Sequence, residues 1–332
     1  MSALRVCPGC SWGRARPLLW TTKKTPSSEF YQVVMCTQCD LRYTRPLPTE
    51  DEFAELYPED YYVDNRSGWL SGDILRRAFE NSVQWRHRQA LLRRSPGKIL
   101  DVGCGSGNFL AALRSKGWEV YATEFSDAAV ARARTRGITV HQGSVEDARF
   151  SDDFFDAITM WHVLEHVPAP REMLDELRRV LKRDGILVVE VPDSASTTFR
   201  LCGDRWMGLD IPRHLQHFTP TTLVRILNDA GFTPVYRQTF HHWDFLFSFN
   251  SFLSRVGVID RLGVHYFSTD FKSASLIAKG LFLLLGLCVG PLSVAYSVAM
   301  ALATGSSETM TVSSRKTPSS PPSVAAHQAA LG

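Results

Sequence analysis

A regular alternation of strand-like and helix-like segments between residues 96 and 240 constrains the fold more than any other feature. Apolar runs such as KILDV (98–102) and GILVVEV (185–191) are typical of buried strands. Amphipathic stretches separate them, among them PREMLDELRRVLKRDG, which we expect to stay helical until Gly185. This order predicts an α/β fold in which a parallel sheet carries helices on both faces.

Composition narrows the class of protein further. The chain has 332 residues, of which 44% are apolar, and its net charge of +3 is small for that length. Such a balance gives no reason to expect nucleic-acid binding. The first residues, MSALRVCPGC, lack the apolar region of a secretion signal. We therefore expect a cytoplasmic protein that does not bind nucleic acid.

A glycine-rich loop follows the first strand of this region. Asp101 lies near the end of the strand, and glycines alternate with other residues at positions 103, 105 and 107. Ligands of parallel sheets bind at the carboxyl ends of strands, where glycine lets the backbone approach them closely. The spacing is not the GxGxxG of dinucleotide sites, because Asn108 stands at the last position. The preceding acid would repel a pyrophosphate but suits a ligand that carries an ammonium and a sulfonium group.

These segments together resemble a known family. DVGCGSG, the acid Glu124, WHVLEHVPAP, LRRVLKRDGILVVEVPD and RHLQHFTPTTLVRILNDAGF are similar to class I S-adenosylmethionine (SAM)-dependent methyltransferases, over roughly residues 97–240. The leading cysteine pairs and ELYPEDYY are similar to a bacterial branch of that family. The resemblance implies a Rossmann-like seven-stranded methyltransferase sheet, SAM as the cofactor, and a methyltransferase activity.

The resemblance also implies a set of SAM contacts. The glycines would border the methionine part of SAM, and Asp101 would organise their loop. Glu124 would accept hydrogen bonds from both ribose hydroxyls, and Phe125 would lie against the adenine. Ser144 and Val145 are further candidates near the adenine, with Glu146 and Asp147 as alternatives, and Trp161 would face the cofactor. The candidate cofactor-binding residues are Asp101, Gly103, Gly105, Gly107, Glu124, Phe125, Ser144, Val145 and Trp161.

Histidines are concentrated in the second half of the core region. His166 follows the strand that should border the active site, and His214 and His217 lie in the loop after the next strand, over the same edge. An imidazole that titrates near neutral pH is a natural general base for an acceptor that arrives protonated. We therefore name His166, His214 and His217 as candidate catalytic residues.

The spacing HxxEH at residues 162–166 leaves two other interpretations open. His162, Glu165 and His166 would share one face of a helix. Some small-RNA and quinone-precursor methyltransferases of this superfamily bind a divalent metal through ExxEH after this strand. Here His162 replaces the first acid, which disfavours magnesium because magnesium prefers oxygen ligands. The remaining interpretation is that Glu165 and His166 only shape the substrate pocket.

Four cysteines near the N-terminus have metal-binding spacing. Cys7 and Cys10 form one CxxC pair, and Cys36 and Cys39 form another. Four thiolates on two tight turns are typical of a closed structural zinc site. The strand character of EFYQVVMC between them predicts a zinc ribbon. Reduced thiols without metal are the alternative.

An uncharged apolar stretch, GLFLLLGLCVGPLSVAYSVAMALA, occupies residues 280–303. Its length suits a transmembrane helix, but the Gly-Pro at 290–291 divides it into halves that are each too short to cross. ETMTVSSR (308–315) resembles the last strand of the methyltransferase sheet and should pair with residues 233–239. The chain would then return to the side it left. We expect a membrane-docking hairpin, with the aromatic residues of 241–253 at headgroup level.

These expectations define six parts of the chain and one function. The parts are a zinc-ribbon-like segment (1–48), a helical connector (49–95), the SAM-binding core (96–240), the apolar insertion (241–306), the last strand (307–315) and a disordered tail (316–332). We expect methyl transfer from SAM to a lipid-linked or amphiphilic small molecule at the cytoplasmic membrane face, of glycolipid, polyprenyl-linked sugar or quinone-precursor type. Two alternatives remain: a methyltransferase of a soluble sugar or natural product, and a membrane-tethered zinc-ribbon interaction protein with a vestigial fold.

Overall fold

The computed structural model describes residues 6–24, 30–49, 95–238, 244–257, 291–300 and 307–317, together with positions 52, 56, 284 and 302–304. Most of the expected connector (49–95), much of the apolar insertion and residues 318–332 of the expected tail lie outside these described residues. The helix expected at residues 73–93 belongs to this group.

Eleven strands and six α-helices are assigned within the described residues. In chain order the strands are β1 (Ala15–Lys24), β2 (Phe30–Cys36), β3 (Arg42–Arg45), β4 (Lys98–Val102), β5 (Glu119–Glu124), β6 (Thr139–Gln142), β7 (Phe155–Trp161), β8 (Leu181–Pro192), β9 (Gln216–His217), β10 (Phe232–Gln238) and β11 (Thr309–Lys316). The helices are α1 (Asn108–Arg114), α2 (Asp127–Thr135), α3 (Pro170–Val180), α4 (Thr197–Cys202), α5 (Pro220–Asp229) and α6 (Asp244–Arg255). Residues 291–300 are also helical.

A seven-stranded sheet forms the centre of the molecule, in the order β10-β11-β8-β7-β4-β5-β6. Strands β8, β7, β4, β5 and β6 run parallel to one another. Their apolar side chains, among them Leu100 and Ile158, are fully buried, which stabilises the sheet by about 1.5–3 kcal/mol for each such side chain. The α/β class and the seven-stranded sheet expected from the sequence are confirmed.

Strand β11 runs antiparallel to both of its neighbours in this sheet. It pairs with β10 on one side and with β8 on the other. The strand expected at residues 308–315 is thus observed at Thr309–Lys316, and its expected pairing with residues 233–239 is observed as pairing with β10. Because β10 and β11 are antiparallel neighbours, the chain that leaves the sheet after β10 must return to the same end of the sheet to begin β11.

A second sheet of four strands, in the order β1-β2-β3-β9, holds the N-terminal segment against the core. The hairpin of β2 and β3 carries Cys36 and Cys39 at its turn, and β3 pairs with the two-residue strand β9. Cys39 and Leu41 belong to the same buried cluster as Phe218 and Ile226, which lie in or beside α5. The N-terminal segment is therefore part of the main core.

Helix α3 is shorter than the sequence predicts. We expected it to continue to Gly185, but it ends at Val180 and β8 begins at Leu181. Leu181 is fully buried and pairs with Phe155 of β7. Burial and strand pairing at this position outweigh the helical propensity of the LKRD sequence.

Helix α6 also departs from the expectation that residues 241–253 lie at a membrane surface. Phe249 is only 4% exposed, and Phe252 packs edge-to-face against Tyr296 at a centroid distance of 5.1 Å. Helix α6 also buries Ser248, Asn250 and Ser251, so this face of the helix lies against the protein. The prediction is therefore wrong for Phe249; the side chains of residues 241–247 lie outside the described residues, and for them it stays a prediction.

No helix within the described part of the chain is both long enough and apolar enough to cross a bilayer.

Candidate active site

The glycine loop between β4 and α1 has a backbone that few other residues would tolerate. Gly103, Gly105 and Gly107 have φ angles of +66°, +54° and +77°. A Cβ on Gly103 would lie 2.7 Å from Cγ2 of Val163, whereas a Cβ on Gly105 would meet no atom within 4 Å. Gly103 therefore allows close packing on the turn after β7, and the loop is open for a ligand at Gly105.

Glu124 closes this loop from the end of β5. Its Oε2 accepts a hydrogen bond from the backbone N–H of Gly105 at 2.8 Å. Its Oε1 accepts two more, from Phe125 N at 2.8 Å and from Ser126 N at 3.0 Å. A carboxylate offers about four acceptor positions, so a buried Glu124 still has acceptor capacity for a ligand hydroxyl.

Asp101 lies within the sheet below this loop. It is 2% exposed, and its Oδ1 accepts a hydrogen bond from Thr159 Oγ1 of β7 at 2.5 Å. This bond links β4 to β7 close to their carboxyl ends, which is consistent with the organising role expected of Asp101.

The remaining expected SAM contacts differ in their surroundings. Phe125 is 69% exposed beside Glu124, so its ring face is available to a ligand. Ser144 donates a hydrogen bond to Asp147 Oδ2 at 2.8 Å, and Val145 is fully buried. Trp161 packs edge-to-face against Phe109 of α1 at a centroid distance of 5.3 Å. Exposure makes Phe125 the best-placed side chain of these to contact an adenine.

A carboxylate and two imidazoles meet after β7. Glu165 and His166 lie on a 3-10 helix, Leu164–His166, and His214 reaches them from the loop before β9. The rings of His166 and His214 pack edge-to-face with centroids 4.6 Å apart. Burial and the neighbouring His214 lower the pKa of His166 to about 4, so its ring is neutral at physiological pH. The expectation that His166 and His214 lie over one sheet edge agrees with this contact.

His162 does not share a helical face with Glu165 and His166. It lies before the 3-10 helix with a φ of +56°. Its Nδ1 is 3.3 Å from Glu165 Oε1, and its Nε2 is 3.4 Å from Glu190 Oε1. Burial disfavours the charged ring, but the two carboxylates outweigh burial and raise the pKa of His162. His162 is therefore a cation held between two buried acids.

Glu190 was absent from the predicted site. It is 1% exposed on β8 and accepts a hydrogen bond from Thr311 Oγ1 of β11 at 3.0 Å. An acid inside the otherwise apolar run GILVVEV is a signal that could have identified it, because a buried carboxylate needs a charged or hydrogen-bonding partner.

His217 faces a different neighbour from the other two candidate catalytic histidines. It is 3% exposed, and its Nε2 lies 2.9 Å from Thr44 Oγ1 of β3. Burial lowers the pKa of His217 to about 3. Thr44 also donates to the carbonyl oxygen of His214 at 2.8 Å. A strand of the cysteine-bearing segment thus contacts the loop of both histidines.

Arg42, the first residue of β3, reaches the turn just after β8. Its Nη1 donates to the carbonyl oxygen of Ser194 and lies 3.3 Å from Ser194 Oγ. Its guanidinium lies over the ring of Phe199, 5.5 Å from the centroid. Sequence reasoning missed Arg42 and Thr44, because their partners are about 150 residues or more away in the chain.

The four N-terminal cysteines converge. Sγ of Cys7 lies 3.5 Å from Sγ of Cys39, and Sγ of Cys10 lies 3.6 Å from Sγ of Cys36. One atom of each lies within 4.8 Å of the other three. Burial raises the pKa of the Cys10 thiol to about 11. Four thiols this close together fit the donor set of a tetrahedral metal ion, which would also favour their deprotonation.

Comparisons with known proteins identify a methyltransferase domain in this chain. A protein-family model described as a methyltransferase domain matches residues 74–237. An uncharacterised protein of Methanocaldococcus jannaschii is 26% identical over 175 residues, which cover 52% of this chain and 80% of that protein. A ubiquinone biosynthesis O-methyltransferase of Xanthomonas oryzae pv. oryzae is 30% identical over 147 residues, or 42% of this chain and 62% of that enzyme. The match thus spans somewhat less than two thirds of the ubiquinone enzyme.

A SAM-dependent methyltransferase from Archaeoglobus fulgidus is 16% identical, with a TM-score of 0.48, over 78% of this chain and 97% of that one.

Proposed function

Because residues 74–237 of this chain belong to the class I SAM-dependent methyltransferases, we propose that the protein methylates a hydroxyl-bearing, amphiphilic small molecule. The observation that carries this proposal is a shared sheet edge. Strand β4 lies between β5 and β7 in a parallel arrangement, so the glycine loop, Glu124 and Glu165–His166 lie at the carboxyl ends of adjacent strands. His214 reaches the same edge through its contact with His166.

The residues at this edge fit SAM. The open position at Gly105 admits a ligand close to the backbone, Glu124 offers acceptors for a ribose diol, and the exposed ring of Phe125 offers a face for adenine. When bound, SAM supplies an electrophilic methyl group. We propose that Asp101 and the glycines Gly103 and Gly107 shape this loop, and that Ser144, Val145 and Trp161 complete the cofactor pocket.

The histidine cluster is proposed to receive the acceptor. In the transfer the acceptor oxygen forms a bond to the methyl carbon as the carbon–sulfur bond breaks, and the acceptor must lose its proton. Positioning in line supplies much of the rate of such a step. The cluster that contains His166 and His214 is proposed to position and activate the acceptor hydroxyl, whereas His217, held by Thr44, positions the loop that carries His214.

The acceptor class is proposed from two kinds of support. The relative from Xanthomonas is named for ubiquinone biosynthesis, which favours a phenolic quinone precursor. Arg213, next to His214, is already paired with Asp210 at 2.7 Å, which disfavours a phosphate-rich substrate. A glycolipid or a polyprenyl-linked sugar would present the same hydroxyl chemistry on an apolar molecule.

Labelled SAM tests this function directly. Purified protein is incubated with demethylated quinone precursors and with hydroxylated glycolipids, and transfer of label to each acceptor is measured. His166→Ala and His214→Ala are each expected to lower turnover by about 100-fold or more while the Kd for SAM stays unchanged. Thr135→Ala, at an exposed residue at the end of α2, serves as the control. Activity within a few-fold of wild type in both cluster variants contradicts the role given to these histidines.

A second proposal concerns the helical residues 291–300, which present an apolar face outwards. Ser293 and Ser297 are buried, and Ser297 Oγ lies 3.3 Å from Ser248 Oγ of α6. Leu292 is 68% exposed, and Leu302, just beyond, is 83% exposed. A helix with serines inside and leucines outside suits an apolar surrounding better than water.

We propose that this face docks on a lipid bilayer without crossing it. Residues 291–304 contain no charged side chain, so the face lacks the polar rim that surrounds most protein interfaces. The pairing of β10 with β11 returns the chain to the side it left. Flotation with phosphatidylcholine vesicles tests the proposal: protein should float with the vesicles. Protein that stays unbound and forms a dimer in solution would contradict lipid docking.

A further inference from the structure

One carboxylate and two imidazoles present ligand atoms to a common point after β7. A ligand atom from each of Glu165, His166 and His214 lies within 4.8 Å of the other two. Glu165 is 1% exposed and His214 is 9% exposed. Two separate loops bring these groups together, and the backbone N–H of Leu215 joins the loops by donating to the carbonyl oxygen of Glu165 at 2.7 Å.

The hydrogen bonds of the two rings fix which nitrogen faces inwards. Nδ1 of His166 lies 3.0 Å from the carbonyl oxygen of Arg213, and Nδ1 of His214 lies 2.8 Å from that of Gly208. A carbonyl oxygen can only accept, so each Nδ1 carries a hydrogen, and Nε2 is the nitrogen of each ring that is left to bind an ion. Histidines that bind metal ions almost always donate their other N–H to a carbonyl or carboxylate in this way.

Glu165 provides an independent observation. Its Oε1 lies 3.3 Å from Nδ1 of His162, but its Oε2 is buried and has no hydrogen-bond partner among the described residues. An unsatisfied buried carboxylate oxygen is costly unless a cation or a donor compensates for its lost hydration.

We infer that Glu165, His166 and His214 bind a divalent transition-metal ion of the zinc type. Two imidazoles and one carboxylate are a donor set that zinc and cobalt accept, with a position left for another ligand. Magnesium is disfavoured because two of the three donors are nitrogen. This set differs from the HxxEH candidate of the sequence, because both ring nitrogens of His162 face Glu165 and Glu190 instead.

The catalytic consequence rests on the proposed function, whereas ion binding does not. The open position of the ion takes the acceptor hydroxyl oxygen and lowers its pKa, as metal ions do for bound water. The hydroxyl proton leaves to solvent, the oxygen forms its bond to the methyl carbon of SAM, and the carbon–sulfur electron pair remains on sulfur. His166 and His214 thus act as ligands that hold the ion beside the acceptor.

Cobalt titration separates this site from the cysteine site in one experiment. Metal-free, reduced protein is titrated with Co²⁺ and followed by absorption. Wild type should bind two equivalents: one with the intense thiolate-to-cobalt charge-transfer band, and one with only the weak visible bands of nitrogen and oxygen ligands. Glu165→Gln and His214→Ala should weaken the second equivalent by at least about 100-fold and retain the first. His141→Ala, a histidine on β6, should retain both.

Retained thiolate-bound cobalt and retained SAM binding report that each variant is folded. A wild-type titration that stops at the thiolate-bound equivalent overturns the inference without any variant. A second equivalent that persists unchanged in both Glu165→Gln and His214→Ala overturns it as well. If wild type binds no second ion but the variants still lose turnover, the metal site is excluded and the proposed function stands. If wild type binds a second ion but both variants keep wild-type turnover, the metal site stands and the proposed catalytic role of the cluster is contradicted.

Discussion

Thr44 donates a hydrogen bond to the carbonyl oxygen of His214 at 2.8 Å, although the two residues are 170 positions apart in the chain. Strand β3 also accepts β9 as a neighbour, and Thr44 N donates to the carbonyl oxygen of Leu215 at 2.9 Å. The cysteine-bearing segment therefore holds the loop that brings His214 to the active-site edge.

Thr44→Val tests this link. Thr44 is fully buried, and its loss leaves the His214 carbonyl unsatisfied, which should lower the free energy of unfolding by about 1–3 kcal/mol. Turnover should fall by about 10-fold while the Kd for SAM, measured by calorimetry, stays unchanged. Thr233→Val, at an exposed threonine, is the control. Wild-type turnover in a folded Thr44→Val protein would show that the loop needs no support from β3.

The zinc ribbon predicted from the sequence implies a second link, between metal binding and stability. Cys36→Ser removes one of four thiolates, so the thiolate-to-cobalt band should be lost and the Tm should fall, because Cys36 also belongs to the main buried cluster. Cys202→Ser, outside the cysteine cluster, should keep the band. Wild-type protein that shows no thiolate-bound metal under reducing conditions would contradict the ribbon.

The proposed role of Glu124 predicts a loss of cofactor affinity. Glu124→Ala removes charge-assisted hydrogen bonds and the closure of the glycine loop through Gly105 N, so SAM binding should weaken by about 1.5–3 kcal/mol. Glu124→Gln should weaken it less, because the amide oxygen can still accept. Glu119→Ala changes an exposed acid at the other end of β5 and should leave affinity unchanged. Equal affinity in wild type and Glu124→Ala would exclude this carboxylate from the SAM site.

The lowered pKa of His217 predicts how the free energy of unfolding changes with pH. Its pKa in the folded protein is lowered by burial to about 3, whereas an unfolded histidine titrates near 6.5. Between these values the unfolded state binds the proton and the folded state does not, so stability falls as the pH falls below about 6.5. The slope should reach about 1.4 kcal/mol per pH unit for this one group.

His217→Gln checks that assignment. Urea unfolding between pH 7 and pH 4 should give a shallower pH dependence for the variant, even if its stability at pH 7 is lower. The same slope in both proteins would mean that His217 does not carry this acid sensitivity.

The parts of the fold that local sequence determines were predictable. Strand β4 is observed at the predicted residues, Lys98–Val102, because an apolar run there ends at a glycine loop. Helix α5 begins after Thr219, whose side chain forms a capping box with Thr222. Both signals lie within a few residues of the element that they define.

Long-range pairing was not predictable in the same way. The two-residue strand β9 has no local strand signal, and it exists because Gln216 and His217 pair with β3. The same reason hid Thr44 from the predicted site. His162 has a left-handed backbone, which the HxxEH spacing alone cannot reveal, so the helical face expected for it was wrong. The contact between His166 and His214 was anticipated only as a shared sheet edge.

The last prediction concerns the proposed docking of the C-terminal helical segment on a lipid bilayer. Leu292 and Leu302 are exposed on the outward face of the C-terminal helical segment, and each should gain about 1.5–3 kcal/mol on transfer into the apolar part of a bilayer. The double variant Leu292→Asp with Leu302→Asp should therefore lower partitioning into phosphatidylcholine vesicles by at least about 100-fold, while methylation of a water-soluble acceptor is retained. Val235→Asp, at a valine on β10 that is 53% exposed, controls for the loss of an exposed apolar side chain elsewhere. Equal flotation of the double variant and the Val235→Asp control would mean that this face does not contact lipid.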